Sequence, residues 1–201
     1  MCNLYRMTRT VDEIARLFDA EPAAGGANVG SEVYPGYPGL VVAQGEVRAM
    51  HWGFPLALRG KSGQMLKPRP VNNARTDKLS GGFWRSSFEQ RRCLIPLDAW
   101  AEAEGPQGSK TRSWLSMPGG ETFTAAGIWR ASDEWGEVYS MVMTDAAGTA
   151  REFHTRMPVL LSPDDRQSWL SASPQEALEL CRPYAGELVI ERTSVRWTRR
   201  T

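Results

Sequence analysis

The chain has 201 residues, carries 24 Lys and Arg against 23 Asp and Glu, and is 41% apolar. That is the profile of a globular protein long enough to bury a substantial core, and one domain spanning residues 1–201 is expected. A net charge of +1 argues against coating duplex DNA by bulk electrostatics, and no apolar run is long enough to span a membrane as a helix.

Thr10-Val11-Asp12-Glu13 is a capping box, and Val11, Ile14, Leu17 and Phe18 follow at helical spacing, so a helix is expected over about 11–19. It ends before a Gly-rich stretch, 21–30. The apolar runs Leu40–Ala43 and Val47–Trp52 around Gln44-Gly45-Glu46 read as a β-hairpin. Residues 56–70, rich in Gly, Lys and Pro, read as an exposed loop. A short helix is expected at Phe83–Arg91, followed by the apolar run Cys93-Leu94-Ile95-Pro96. Ser113–Met117, Thr122–Trp129 and Val138–Thr144 are strands of an antiparallel sheet, with Pro158–Leu161 as a shorter one. Helices are expected near 164–171, with a Pro at its start, and from Ser173-Pro174-Gln175-Glu176 to about 181. Glu187–Ile190 and Ser194–Trp197 read as closing strands. The fold class is α+β, mostly antiparallel strands in a barrel-like domain with peripheral helices.

Three widely spaced cysteines (Cys2, Cys93, Cys181) and two histidines (His51, His154) support neither a disulfide framework nor a zinc site. No metal or cofactor is expected. The N-terminus, Met1-Cys2-Asn3-Leu4-Tyr5-Arg6, lacks the apolar stretch of a signal peptide, and a cytoplasmic location is expected. Most of the eight Trp are expected in the core. Charge is uneven: residues 51–95 carry nine Lys/Arg against two Asp/Glu, and 96–150 carry three against eight. The basic segment either faces a polyanion or is a solvated loop balanced in space by the acidic one.

Cys2 is the most informative residue. Once Met1 is removed, it presents an amine and a thiol on adjacent carbons, titrating near 7.7–8.0 and about 8.5 respectively. The amine can form a Schiff base with an aldehyde, and the thiol can close on that imine to a thiazolidine. The thiol could instead attack an acyl carbon, as in N-terminal nucleophile hydrolases; the plain alternative is an incidental Cys at a frayed end. His154, in Glu152-Phe153-His154-Thr155-Arg156-Met157-Pro158, titrates where proton transfer near neutrality needs it, although a lone His is commonly structural. His51 beside Trp52 reads as a core or edge residue. Glu102 follows an apolar run and shares a face with Trp100 if that segment is a strand, which would desolvate it and raise its pKa; a solvated acidic turn with Glu104 is the alternative. In Asn72-Asn73-Ala74-Arg75-Thr76, Asn can orient a nucleophile and Arg can fork onto phosphate, while Asn-Asn is also an ordinary turn.

Taken in order, Met1-Cys2, Tyr34-Pro35, Trp52-Gly53-Phe54-Pro55, Asn73-Ala74-Arg75, Arg92-Cys93-Leu94-Ile95-Pro96 leading to Glu102, and His154-Thr155-Arg156-Met157-Pro158 strongly resemble the SRAP (SOS response-associated peptidase) family of abasic-site processing proteins, over about residues 2–170. The resemblance implies loss of Met1, partly by the protein's own peptidase activity. It further implies a stable thiazolidine between Cys2 and the open-chain aldehyde of an abasic site in single-stranded DNA, with possible lyase or crosslink-reversal activity. On that basis Cys2 is the nucleophile and covalent link, and Asn73 positions its amine and thiol. Glu102 is the acid/base for Met1 release and Schiff-base chemistry. His154 promotes sugar opening and helps resolve the crosslink. Arg75 and Arg156 contact phosphates, and Pro35 walls the lesion. The expected partner is single-stranded DNA with abasic sites, bound by a monomer, nucleoid-associated when at work.

The chain departs from the family pattern at two places. Many members begin Met-Cys-Gly-Arg, whereas here Asn3 and Leu4 follow, leaving Arg6 as the candidate replacement for the family's Arg. Members also carry Trp after the Trp-Gly turn, where this chain has Leu56-Ala57-Leu58-Arg59, so weaker stacking on single strands is expected, by about 1–3 kcal/mol per lost aromatic. Two rival readings use the same residues differently. One is a cysteine hydrolase acting on amide bonds through Cys2, Asn73 and Glu102; the other is a non-catalytic nucleic-acid module relying on the basic segment 59–92.

Overall fold

A computed structural model of the chain describes residues 2–23 and 29–197. In chain order, β1 (Tyr5–Arg6) leads to α1 (Val11–Phe18), β2 (Glu21–Pro22), β3 (Glu32–Val33) and the hairpin β4 (Pro38–Ala43) with β5 (Glu46–Trp52). Next come β6 (Phe54–Arg59), β7 (Met65–Val71), β8 (Asn73–Arg75), α2 (Arg85–Gln90), β9 (Arg92–Leu97), β10 (Ala99–Glu104) and β11 (Thr111–Ser116). The chain continues through β12 (Phe123–Ser132), β13 (Gly136–Asp145), α3 (Ala150–Phe153), β14 (Arg156–Pro158) and β15 (Leu160–Leu161). It closes with α4 (Asp165–Ser171), α5 (Pro174–Glu179) and β16 (Val189–Arg196).

Strands β13, β12, β9, β4 and β5 pair in that order, and β5 pairs back onto β13 in parallel through Val138 opposite His51 and Tyr139 opposite Trp52. The five strands therefore form a closed barrel, which removes their edges. A second sheet, ordered β16-β11-β10-β1-β3, carries the N-terminal segment. The α+β, mostly antiparallel, barrel-like class expected from sequence is the class observed.

Local chemistry explains the elements that sequence located. Thr10 and Glu13 form the capping box of α1, and Ser173 and Glu176 form that of α5 with Pro174 at its first position. Gln44 and Gly45 both have positive φ, the requirement of the tight turn that matches the twist of a two-residue hairpin. The expected loop over 56–70 is instead a two-stranded ribbon, β6 on β7, pairing Phe54 with Val71 through Arg59 with Met65. Its prolines are tolerated because the ribbon has no further strand partner, so a missing N–H leaves no ladder bond unmade. The two closing strands are one, β16; Pro158–Leu161 is two short strands, β14 and β15, broken at Val159; Pro163 lies just ahead of α4 rather than within it. Of the Gly-rich stretch, 24–28 lies outside the described residues.

Six of the eight Trp are buried, as expected; the other two, Trp135 and Trp197, are half-buried. Inside the barrel the hydroxyls of Tyr5 and Tyr139 share a 2.5 Å hydrogen bond, and Trp52 packs edge-on to Tyr5 and stacked on Tyr139. A Cβ at Gly39 would sit 2.1 Å from the Tyr5 hydroxyl and 2.2 Å from that of Tyr139. Since neither buried ring has room to retreat, Gly39→Ala is expected to destabilise the fold by at least about 2 kcal/mol, read as a lowered urea midpoint at unchanged slope.

Candidate functional site

The first residues run antiparallel beside β10: Tyr5 lies opposite Trp100, Arg6 opposite Ala99, and Ala101 N–H donates to the Leu4 carbonyl at 2.9 Å. This register carries the N-terminus past Glu102. From the other side β8 lies parallel to β13, with Asn73 opposite Met141, and the Met141 N–H donates to the Asn72 carbonyl at 3.0 Å. Trp52 Nε1–H donates to the same carbonyl, also at 3.0 Å. Asn72 and Asn73 are thus fixed to the barrel and turned toward Cys2. The Cys2 carbonyl accepts from Asn73 Nδ2 at 2.7 Å and Asn72 Nδ2 at 2.9 Å. Asn72 Nδ2 also reaches Asn3 Oδ1 at 3.2 Å. Two amides on one carbonyl fix the backbone at Cys2, and with it the directions of the thiol and the amine. Asn73 Oδ1 is a buried acceptor with no hydrogen-bond partner among the described residues.

Cys2 is fully buried, and its thiol donates weakly to the Leu4 carbonyl at 3.5 Å. Burial, then the nearby Glu102 charge, push the thiol well above the usual cysteine range, so at rest it is protonated. Glu102 is 5% exposed, and burial pushes its carboxyl up to about 7, against the pull of the positively charged N-terminus. A carboxyl at that value can accept or give a proton near neutrality. Trp100 is buried with it, two residues away on β10, where Ala99 and Ala101 are buried as well.

His154 follows α3 directly, half-buried, and its Nδ1 accepts from the Arg156 N–H at 2.9 Å. In the neutral ring the proton therefore sits on Nε2. Burial, followed by the charges of the N-terminus, Arg156 and Lys110, lowers its pKa. Arg156 lies opposite Asp145 and pairs with it at 3.2 Å, while Arg75 forks onto Asp77 at 2.9 and 2.7 Å. Asp77 is held below the usual carboxylate range mainly by Arg75, with Arg156 adding to the effect. Arg6 stands apart: its guanidinium lies 4.1 Å over the Trp114 ring and 3.7 Å from Glu191.

A groove of about 1080 Å³ has Asn3, Leu4, Asn72 and Asn73 in its wall, in front of Cys2. Pro35 and Tyr34 line it, as do Lys67 and Arg69 from β7, Arg112 from β11, and both half-buried tryptophans. His51 lines it too, so its place is at the edge of the barrel. Lys67 and Arg69 are exposed and, among the described residues, form no ion pair, whereas Arg112 pairs with Glu32 at 3.1 Å. Sequence reading singled out neither these cations nor Trp135 and Trp197. The charge surplus over 51–95 contained Lys67 and Arg69, but nothing local marked which of its nine cations share a groove. The structure thus gathers Cys2, Asn73 and Glu102 into one cluster and puts Pro35 in the groove before it. It sets Arg75 and Arg156 together around Asp77, and Arg6 elsewhere. Among the described residues no group of His, Cys, Asp and Glu could hold a metal ion, and no helix is long and apolar enough to cross a membrane.

Fold and site together define a closed barrel that holds a sequestered thiol at position 2 between a carboxyl of raised pKa and two side-chain amides. The chain belongs to the SOS response associated peptidase (SRAP) family, whose model matches residues 1–196. Membership supports a DNA-damage-associated, peptidase-like role. Among solved structures it is similar to a protein from Bordetella bronchiseptica, at 23% identity and a TM-score of 0.80, covering 96% of this chain and 99% of that one. It also resembles a protein from Bacteroides thetaiotaomicron, at 18% identity and 0.78, over 95% and 91% of the two chains. A phage-related protein from Bordetella bronchiseptica matches at 19% and 0.68, over 96% and 94%. At these identities the likeness is one of fold. No curated protein sequence matches the chain.

Proposed function

We propose that this chain captures abasic sites in single-stranded DNA through a thiazolidine on Cys2, formed after self-catalysed loss of Met1, and so shields the lesion. The observation carrying this reading is the Cys2 cluster itself: a thiol whose backbone is fixed by Asn72 and Asn73, next to a carboxyl at about 7, behind a groove with three cationic side chains. The Cys2 amine adds to the C1′ aldehyde of the opened sugar, and loss of one water gives the Schiff base. The thiol then adds across the imine, sulfur to carbon, and its proton is relayed through Glu102 to the imine nitrogen, which ends as a neutral secondary amine while Glu102 returns to its starting state. Asn73 Oδ1 is the acceptor available to orient the amine.

An abasic sugar is mostly closed, and His154 addresses that step. A neutral imidazole with its proton on Nε2 donates a hydrogen bond to the ring oxygen as charge develops there, an electrophilic role that a lowered pKa favours. Arg75 and Arg156 are set to contact the backbone beside the lesion. Their partners Asp77 and Asp145 are exposed, and such pairs hold by about 1 kcal/mol or less, so phosphates can replace them. Arg6 would have to leave Trp114 and Glu191 to do the same. Tyr34, Trp135 and Trp197 offer bases the aromatic surface that Leu56 and Leu58 do not.

The test mixes untagged protein, with Met1 shown absent by intact mass, with a single-stranded oligonucleotide bearing one abasic site, followed by a denaturing gel. A shifted band that needs both Cys2 and the lesion is expected. Its absence would favour amide hydrolysis by the same cluster, a reading kept in play by the family's peptidase description. Turnover of an amide other than the Met1–Cys2 bond would establish that alternative.

A further inference from the structure

A second pocket, of about 540 Å³, shares no lining residue with the groove before Cys2. It lies where the end of α1, the β4–β5 turn, the end of α2 and α4 meet. Three arginines line it, Arg91, Arg92 and Arg166. Among the described residues none of the three pairs with a carboxylate. Arg92 donates to the carbonyls of Trp169, Phe88 and Ala172. The Arg91 guanidinium donates to the neutral groups of Ser86, at 2.8 Å, and Gln90, at 3.4 Å. Arg166 lies 4.3 Å over the Phe18 ring. The single carboxylate among the lining residues is that of Asp19, which is exposed.

The pocket thus carries three positive charges against one negative. A partly desolvated guanidinium without a counter-ion is costly, and a ligand that supplies the counter-ion removes that cost. A surplus of two is matched by a dianion better than by a carboxylate, and a phosphate monoester carries about −1.5 to −2 at neutral pH. Beside three glutamines, Gln44, Gln90 and Gln167, the wall has an apolar part from Leu17, Phe18, Val42, Leu94, Trp129 and Leu170. The volume falls in the range of small-molecule sites, about 300–1,000 Å³. We propose that this pocket binds a small organic phosphate, its head held by Arg91 and Arg166 and its apolar body against Leu94, Trp129 and Leu170.

Calorimetric titration of the full chain tests this with three probes: phenyl phosphate, inorganic phosphate and phenol. One phenyl phosphate is expected per chain, bound about tenfold or more tighter than inorganic phosphate, with phenol silent. Arg166→Gln and Arg91→Gln should each weaken binding about tenfold or more. Leu170→Trp, which fills the apolar end and keeps every charge, should block phenyl phosphate; it carries the test if an Arg variant fails to fold. Lys67→Ala, in the other groove, should leave the phenyl phosphate titration unchanged. The proposal is overturned if phenyl phosphate gives no heat at millimolar concentration, or if inorganic phosphate binds as tightly. It is equally overturned if Lys67→Ala, rather than the pocket variants, abolishes the signal.

Discussion

Protein that keeps Met1, or carries a tag ahead of Cys2, is expected to form no denaturant-resistant complex with abasic single-stranded DNA, whereas the processed chain forms one. The loss should be complete because two functional groups are needed on adjacent carbons. With Met1 in place the Cys2 nitrogen is an amide, which does not add to an aldehyde. The thiol alone gives a hemithioacetal that reverts when the protein unfolds. A free α-amine ordinarily titrates near 7.7–8.0, so a reactive unprotonated fraction is available near neutral pH. The check is intact mass of each preparation followed by the gel; a strong band from the blocked protein would falsify the thiazolidine mechanism.

Glu102→Gln is expected to act in two opposite directions. It should leave Met1 on the purified protein, because the acid/base that the proposed function assigns to its release is gone; an intact mass lacking Met1 would count against self-processing through Glu102. It should also stabilise the fold, increasingly so as pH rises. The sign follows from linkage. Burial raises the carboxyl from an unfolded value near 4.5 to about 7 in the folded protein. Below the lower value both states are protonated and the carboxyl costs nothing. Between the two values the unfolded chain ionises while the folded one keeps its proton, so stability falls as pH rises and levels off once the folded carboxyl also ionises near 7, a loss of roughly 3 kcal/mol in all. Glutamine does not titrate, so the variant's advantage in urea should be small near pH 5 and should approach that figure near pH 8. An equal advantage at both pH values would mean that the buried carboxyl does not titrate in this range. Such a gain on removing a site residue is the ordinary trade of stability for activity.

How much of this was legible in the sequence depended on how local the cause was. The Thr10–Glu13 box and the Gln44-Gly45 turn were readable because their chemistry is complete within a few residues. The β6–β7 ribbon was not: Pro55, Pro68 and Pro70 signal a loop, and only the absence of a third strand makes them acceptable. Strand β10 is half alanine, a weak strand former, and is extended because β1 and β11 hold it on both sides. At the site, the kinds of residue were legible and their arrangement was not. Cys2 and Asn73 meet across 71 positions. The groove draws its cations from β7 and β11 and its aromatics from three further segments, a convergence that no window of sequence contains.

The contacts around Cys2 also set a timetable. The residue is made second, but the groups that surround it are encoded at 72–73, 102 and along β13, which ends at Asp145. At a synthesis rate of about 5–20 residues per second, the nascent N-terminus waits at least about 5–20 s before Glu102 exists. The barrel that holds Asn73 closes later still. Self-removal of Met1, as proposed, would therefore be an event of the finished, folded chain, and an aminopeptidase working at the ribosome would meet this N-terminus first.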